Sequence, residues 1–130
     1  MEKHIKQVEQ FHKAFGHPVN EMLKFPPLER IMLRQALIQE EVGELLQASA
    51  SGDAVGVADA ITDCLYILYG TAIEWGLGDK LPRLFDEVHR SNMSKLGADG
   101  KPIYREDGKV LKGENYTPPN LKDIVWGEPE

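Results

Sequence analysis

Five carboxylates stand where helices would line them up: Glu40, Glu41 and Glu44 in one stretch, Asp59 and Asp63 in the next. At about 100° per helical residue, Glu41 and Glu44 share an arc of about 80° with Leu33, Leu37 and Ala48, and Glu40 sits at its edge. Asp59 and Asp63, about 40° apart on the same count, lie on a stripe continued by Tyr66 and Gly70. Both sets of acids thus fall on faces that otherwise carry apolar residues. Burying an unpaired carboxylate costs on the order of several kcal/mol, and from Gln35 to Asp79 there are eight acids and no Lys or Arg. Two i,i+3 or i,i+4 acid pairs on successive antiparallel helices converge on one small volume, so something positive must hold them. An all-oxygen donor set suits a hard divalent cation, Mg²⁺ or Mn²⁺ as its substitute. The alternative is that these acids pair with Arg30, Arg34, Arg83 or Arg90, or face water.

Other chemistries lack their residues. There is no GxxxxGK[ST] phosphate loop, no GxGxxG and no HExxH. A carboxylate-bridged di-iron bundle needs Glu-x-x-His on two helices, whereas His4, His12, His17 and His89 all lie outside the acidic stretches, and Asp86-x-x-His89 gives a comparable spacing once. His89 reads as a helix-surface or structural residue. The single cysteine, Cys64, excludes an intramolecular disulfide and any cysteine-only metal site, and fits a reducing, cytoplasmic setting.

The elements that must position the acids are helical. Ile5, Val8, Phe11, His12 and Phe15 are spaced for a first helix from about residue 2 to 15, which Gly16-His17-Pro18 ends. Pro26-Pro27 opens a second that runs to Ser51-Gly52 and carries a further apolar stripe, Ile31, Ile38, Val42 and Leu45. Asp53 caps a third, running to Trp75-Gly76, and a fourth extends from near Asp79 to about Leu96-Gly97 with Pro82 in its first turn. Over residues 98–124, two Asp-Gly pairs, three prolines and the short runs Ile103-Tyr104 and Val110-Leu111 suggest a small hairpin or extended arm. The expected fold is all-α: an antiparallel bundle of four main helices over residues 1–97, with residues 98–130 as a loop-rich C-terminal extension of the same domain.

With 130 residues, 42% apolar and 28% charged, the chain has the size and profile of one soluble globular domain. Its 21 acidic against 15 basic residues leave a net charge of −6, which argues against a nucleic-acid partner bound through bulk charge. No apolar run approaches the ~20 residues that span a bilayer, so no membrane partner is expected, and the opening MEKHIKQVEQFHK lacks the apolar core of a secretory signal. Short helices that are apolar on more than one side, around a polar centre, bury their second stripes best against another copy of the chain.

Glu40-Glu41-Val42-Gly43-Glu44-Leu45-Leu46, followed by Asp59-Ala60-Ile61-Thr62-Asp63-Cys64-Leu65-Tyr66, resembles the all-α nucleotide pyrophosphohydrolases, the MazG and phosphoribosyl-ATP pyrophosphatase-like superfamily that includes dimeric dUTPases. Val88-His89-Arg90-Ser91-Asn92-Met93-Ser94-Lys95 and the tail after it look like the phosphoribosyl-ATP pyrophosphohydrolase-like branch. The resemblance implies hydrolysis of a nucleoside triphosphate between its α and β phosphates, giving monophosphate and pyrophosphate, as in the clearing of unwanted nucleotides. It implies that Glu41 and Glu44 are the ExxE metal ligands and Asp63 the last acid of the second motif. That motif is usually ExxD, but Ala60 stands three before Asp63, so Asp59, four before it and still on the same face, takes the ligand's place.

A triphosphate would be repelled by an acidic pocket without cations; bridging Mg²⁺ reconciles the two and lowers the pKa of an attacking water. Glu40, about 100° round the helix from Glu41, is the candidate for orienting or deprotonating that water. Asn92 and Lys95, at positions similar to nucleotide contacts in the family, are expected on one side of the fourth helix. Lys112, with Lys109, is a candidate for closing over the phosphates, and Tyr66 for stacking on a base. The resemblance also implies a homodimer or dimer of dimers. A competing reading is a helical interaction module that keeps the fold but has lost the chemistry.

Overall fold

A computed structural model of the chain describes residues 1–127. Three helices make up the first of two compact units, Met1–Asp79. Helix α1 (Glu2–Ala14) buries Ile5, Val8 and His12, and its end is closed by the His17 N–H donating to the His12 carbonyl at 2.8 Å. Helix α2 (Leu28–Ala50) starts behind Pro27, whose carbonyl accepts from the N–H groups of Arg30 and Ile31 at 2.9 and 3.1 Å. Helix α3 (Ala54–Glu74) is capped as the sequence suggests, with the Gly56 N–H donating to Asp53 Oδ1 at 3.0 Å. That bond satisfies one of the free N–H groups of the first turn.

The packing of both α2 and α1 against α3 sets the frame. The segment between α1 and α2 is laid across the end of α3: the Asn20 and Lys24 N–H groups donate to the carbonyls of Ile73 and Trp75 at 3.2 and 3.1 Å. Gly76 makes this approach feasible. Its φ of 71° suits glycine, and a Cβ there would strike the Met22 carbonyl.

The second unit starts at Lys80. A 3₁₀ turn (Gly78–Lys80) leads into α4 (Leu81–Met93), then a two-stranded antiparallel hairpin of β1 (Ile103–Tyr104) and β2 (Val110–Leu111), then α5 (Lys122–Trp126). Ile103 faces Leu111 and Tyr104 faces Val110, with Asp107-Gly108 in the connection where the sequence suggests a turn. The tail is tied to α4: Ser91 Oγ donates to the Thr117 carbonyl at 2.9 Å, and Arg90 to Thr117 Oγ1 at 2.6 Å. Lys80, itself buried, donates to the Val125 and Gly127 carbonyls at 2.7 and 3.1 Å and anchors α5.

Two expectations change. The fourth helix stops at Met93, so Lys95 lies beyond its end, where the Ser94 hydroxyl donates back to the Ser91 carbonyl at 2.6 Å and the chain turns out of the helix. The one-turn α5 was not expected, since five residues carry no periodicity to read. Otherwise the chain is the mostly α-helical bundle with a loop-and-hairpin extension that the pattern indicates. Among the described residues, no helix is long and apolar enough to cross a membrane.

Little of the interior is apolar. Among the described residues the buried apolar side chains include Ile5, Val8, Ala60 and Ile73, and they share the interior with His12, Arg34 and Glu74. Many large apolar side chains of α2 and α3 face outward, with Met32 at 61%, Leu46 at 65% and Val55 at 81% exposure.

Candidate metal centre

The facing sides of α2 and α3 carry charge along much of their length. Arg30, Arg34 and Glu41 fall within about 40° of one another on α2, and Asp63 and Glu74 within about 20° on α3. The helices run antiparallel, so the arginines meet Glu74 at one end and Glu41 and Glu44 meet Asp63 toward the other.

At the first end the charges are matched. Glu74 is completely buried, and Arg30 grips it with Nε to Oε1 at 2.9 Å and Nη2 to Oε2 at 2.8 Å. Arg34 Nη1 stands 3.3 Å from Oε2 of the same carboxylate, and Arg34 also donates to the Ile67 carbonyl at 2.7 Å and to Thr71 Oγ1 at 3.2 Å. Burial draws Arg34's pKa below its ordinary value, against the pull of Glu74. His12 Nδ1 lies 4.0 Å from Glu74 and 2.9 Å from the Pro18 carbonyl, and burial pushes its pKa below the usual 6.5. Gly70 leaves the room for this: a Cβ there would run into the Arg34 guanidinium and His12 Nε2.

At the other end the charges are unmatched. Glu41, Glu44 and Asp63 each bring a carboxylate oxygen within 4.8 Å of the other two. Glu41 and Asp63 are half-buried and Glu44 is exposed. Oε2 of Glu41 is buried without a hydrogen-bond partner. Burial first, then the charges of Glu44 and Asp63, a hydrogen bond with Glu44 and the charge of Glu40 raise the Glu41 carboxyl above the usual range. Arg30 and Arg34, the arginines of this unit, are committed to Glu74, and in the second unit Arg90 is committed to Glu87 with Nε–Oε1 at 2.7 Å. Arginine neutralisation, the alternative open from sequence, is taken up by other acids for these three cations.

An all-oxygen trio with an orphaned buried oxygen fits a hard divalent cation. Glu41, Glu44 and Asp63 are the residues that could hold it.

The other expected residues are placed as follows. Asp59 is exposed and outside the trio, and with Glu44, Gln47, Ser51 and Asp53 it lines an adjoining polar cavity of about 290 Å³. Glu40 is exposed, close enough for its charge to act on Glu41. Tyr66 is 38% exposed and meets Phe11 edge to face at 5.6 Å. Asn92, Lys95 and Lys112 belong to the second unit. Asn92 is exposed on α4, the Lys95 carbonyl accepts the Gly113 N–H at 2.8 Å, and Lys112 Nζ sits 4.8 Å from the centre of the Tyr116 ring.

The Glu74 cluster was not legible in the sequence as a unit. Its signal was Arg30-x-x-x-Arg34 at the start of an otherwise apolar helix face, with Glu74 on the stripe that Asp63 and Gly70 mark.

Comparison with known proteins gives two findings. The model of the family described as phosphoribosyl-ATP pyrophosphohydrolase matches residues 8–92, which includes the acid trio and the arginine–Glu74 cluster. An uncharacterized protein of Acanthamoeba polyphaga mimivirus is 35% identical over 125 residues, covering 91% of this chain and 46% of that protein. The chain therefore spans about half the length of that relative.

Proposed function

We propose, because this chain belongs to the phosphoribosyl-ATP pyrophosphohydrolase family, that it hydrolyses a nucleoside triphosphate or related nucleotide between the α and β phosphates. Water supplies the oxygen, the α–β phosphoanhydride bond breaks, and nucleoside monophosphate and pyrophosphate leave. The observation that carries this reading is the contrast along α2 and α3: Arg30 and Arg34 are spent on Glu74, while Glu41, Glu44 and Asp63 bring their carboxylate oxygens together within 4.8 Å.

In this reading Glu41, Glu44 and Asp63 hold Mg²⁺, or Mn²⁺ as a substitute, and Asp59 serves beside Glu44 from the adjoining cavity. The bound ion supplies neutralisation of phosphate charge and a lowered pKa for water. Glu40 orients the attacking water and takes its proton on a carboxylate oxygen. Asn92, Lys95 and Lys112 are the proposed donors to the substrate's oxygens, and Tyr66 the proposed surface for its base. The outward apolar side chains of α2 and α3 are proposed to be covered by a second copy, as a homodimer or dimer of dimers, in the cytoplasm.

The test is to incubate the protein with each common NTP and dNTP plus Mg²⁺, beside an EDTA control, and to separate the products by anion exchange. We expect monophosphate and pyrophosphate, abolished by EDTA and by Glu44→Ala. Diphosphate and phosphate would contradict the cleavage position. A chain that turns over no nucleotide and binds no Mg²⁺ would be a helical interaction module instead.

A further inference from the structure

The buried charge cluster and the carboxylate trio occupy the same two facing sides of α2 and α3, and their spacing ties them together. Arg30 and Glu41 stand 11 residues apart on α2, and Asp63 and Glu74 stand 11 apart on α3. Eleven residues complete three helical turns to within about 20°, a rise of about 16.5 Å. Because the helices are antiparallel, Arg30 gripping Glu74 brings Glu41 level with Asp63. The contacts to either side keep the same count. Arg34, seven residues before Glu41, meets Gly70, seven after Asp63, where a Cβ would strike the guanidinium. Ala48, seven after Glu41, meets Gly56, seven before Asp63, where a Cβ would stand 3.2 Å from that of Ala48.

The trio therefore sits between two fastened ends. At one, the turn after α2 is held by the Asp53 N–H donating to the Ala48 carbonyl at 3.0 Å. At the other, Arg30 and Arg34 close on Glu74. A connection at one end alone would leave the two helices free to splay and roll about it. The acids favour that opening, since three carboxylates with oxygens within 4.8 Å repel one another until a cation joins them. Apolar packing gives limited resistance, because Leu33, Leu46, Leu65 and Leu68 are all exposed. A buried guanidinium fork on a carboxylate is strong and specific in its geometry.

We infer that the Arg30–Glu74 pair positions the carboxylate trio, holding α2 against α3 so that Glu41 stays level with Asp63 and the oxygens are gathered before an ion arrives. This rests on the reading given under Proposed function, in which the trio holds that ion. A site gathered in advance does not spend binding energy on closing the helices. The two arginines are not equivalent. Arg34 brings one nitrogen, Nη1, to 3.3 Å from Glu74 Oε2, from one turn farther along α2. Were Arg34 to take the position of Arg30, α2 would slide by about 6 Å. Leu45, not Glu41, would then come level with Asp63.

The experiment is calorimetric titration of Mg²⁺ into the metal-free chain, with each variant folded by circular dichroism, together with hydrogen exchange. Arg30→Gln leaves Glu74 with Arg34 and is expected to bind Mg²⁺ about fivefold or more weakly, the low end of couplings between distant groups. Arg30→Lys keeps the cation without the fork and should recover part of that loss. Ile5→Ala opens a cavity where Ile5 is buried near Gly78, and it should lose stability while keeping wild-type affinity. Without metal, amides around Glu41 and Asp63 should exchange faster in Arg30→Gln than in wild type, and Mg²⁺ should slow them again. If Arg30→Gln does not fold, a loss of about twofold or more in Arg30→Lys, beside an unchanged Ile5→Ala, carries the test. Wild-type affinity in the Arg30 variants would overturn the positioning role, whatever their stability, and so would an equal loss in Ile5→Ala. A wild-type chain that binds no Mg²⁺ would overturn the trio's role first, and the positioning role with it.

Discussion

Arg30 closes on Glu74 in a two-point grip, Nε to Oε1 at 2.9 Å and Nη2 to Oε2 at 2.8 Å, on a carboxylate that solvent does not reach. Arg34, 5% exposed, completes the pairing. A planar guanidinium against a carboxylate is the strong form of charge-assisted hydrogen bond. Removing one partner of a buried pair strands the other, and this costs more than the pair contributes. We expect Glu74→Gln to destabilise the chain by about 3–5 kcal/mol, the range for breaking a buried ion pair. Urea unfolding measures it, and a change below about 1 kcal/mol, the scale of an exposed pair, would show that the cluster is not structural.

Gly70 is held to glycine by its neighbours. A Cβ would meet the Arg34 guanidinium and His12 Nε2, on two buried side chains held in place by the bonds of Arg34 to the Ile67 carbonyl and of His12 Nδ1 to the Pro18 carbonyl. Gly70→Ala should therefore destabilise by about 1–3 kcal/mol through overpacking, although alanine is the better helix former. A thermal melt that rises instead would mean the cluster can shift aside.

His12 makes the first unit acid-sensitive. Burial, the leading cause, pushes its pKa below 6.5, with Arg34 and His17 in the same direction and the Pro18 carbonyl and Glu74 opposing. The native state thus favours the neutral ring, and the unfolded chain takes up the proton first. This stabilisation is fully present above pH 6.5 and is lost as pH falls from there toward the lower native pKa. We expect the melting temperature to drop between pH 7 and pH 5, and the drop to be smaller in His12→Asn. Equal pH dependence in the two proteins would contradict this.

Glu87 gives the second unit a different limit. Its hydrogen bond with Arg90, then the Asn120 N–H at 2.7 Å, lower its pKa from 4.5 to about 2. A depressed carboxylate stabilises above its unfolded pKa and is lost as pH falls through the folded one. The tie between α4 and residues 117–120 should therefore persist at pH 5 and fade between 4.5 and about 2. Glu87→Gln should release that segment at neutral pH, read as faster limited proteolysis beyond α4. An unchanged cleavage rate would show that Ser91 and Ser94 suffice to hold it.

A gathering of acids was legible because Glu41, Glu44, Asp59 and Asp63 break apolar stripes at helical spacing, but periodicity did not separate Asp63 from Asp59, which lies outside the trio. The Asp53 cap and the Asp107-Gly108 turn were legible because each is local chemistry. Which acid an arginine meets is a different matter. It depends on how far α2 slides along α3, and that register is set by packing that spacing does not encode. Arg30 and Arg34 could therefore be counted as partners for the trio until the structure gave them to Glu74. Lys95 was misplaced for a smaller reason, since Ser91 and Ser94 end α4 through side-chain bonds to the Thr117 backbone, 26 and 23 residues on.

Two carboxylates of the acidic region can be ranked by position. Asp63 lies in the trio and Asp59 outside it. Asp63→Asn should weaken Mg²⁺ binding by tenfold or more, and Asp59→Asn by less. Without metal, Asp63→Asn should raise the melting temperature slightly, because it relieves repulsion on Glu41 worth about 1 kcal/mol or less at this exposure. Equal losses of affinity in the two variants would give Asp59 a full ligand's part.

The proposed divalent cation is held by Glu41, Glu44 and Asp63, since Arg30 and Arg34, the arginines of their own unit, are committed to Glu74. Calorimetric titration of Mg²⁺ into the metal-free chain, beside Glu44→Gln and Asp63→Asn, tests it most directly. We expect saturable binding in the wild-type chain and a loss of tenfold or more in each variant, with all three folded by circular dichroism. Wild-type binding that neither substitution changes, or no binding at all, would contradict the claim.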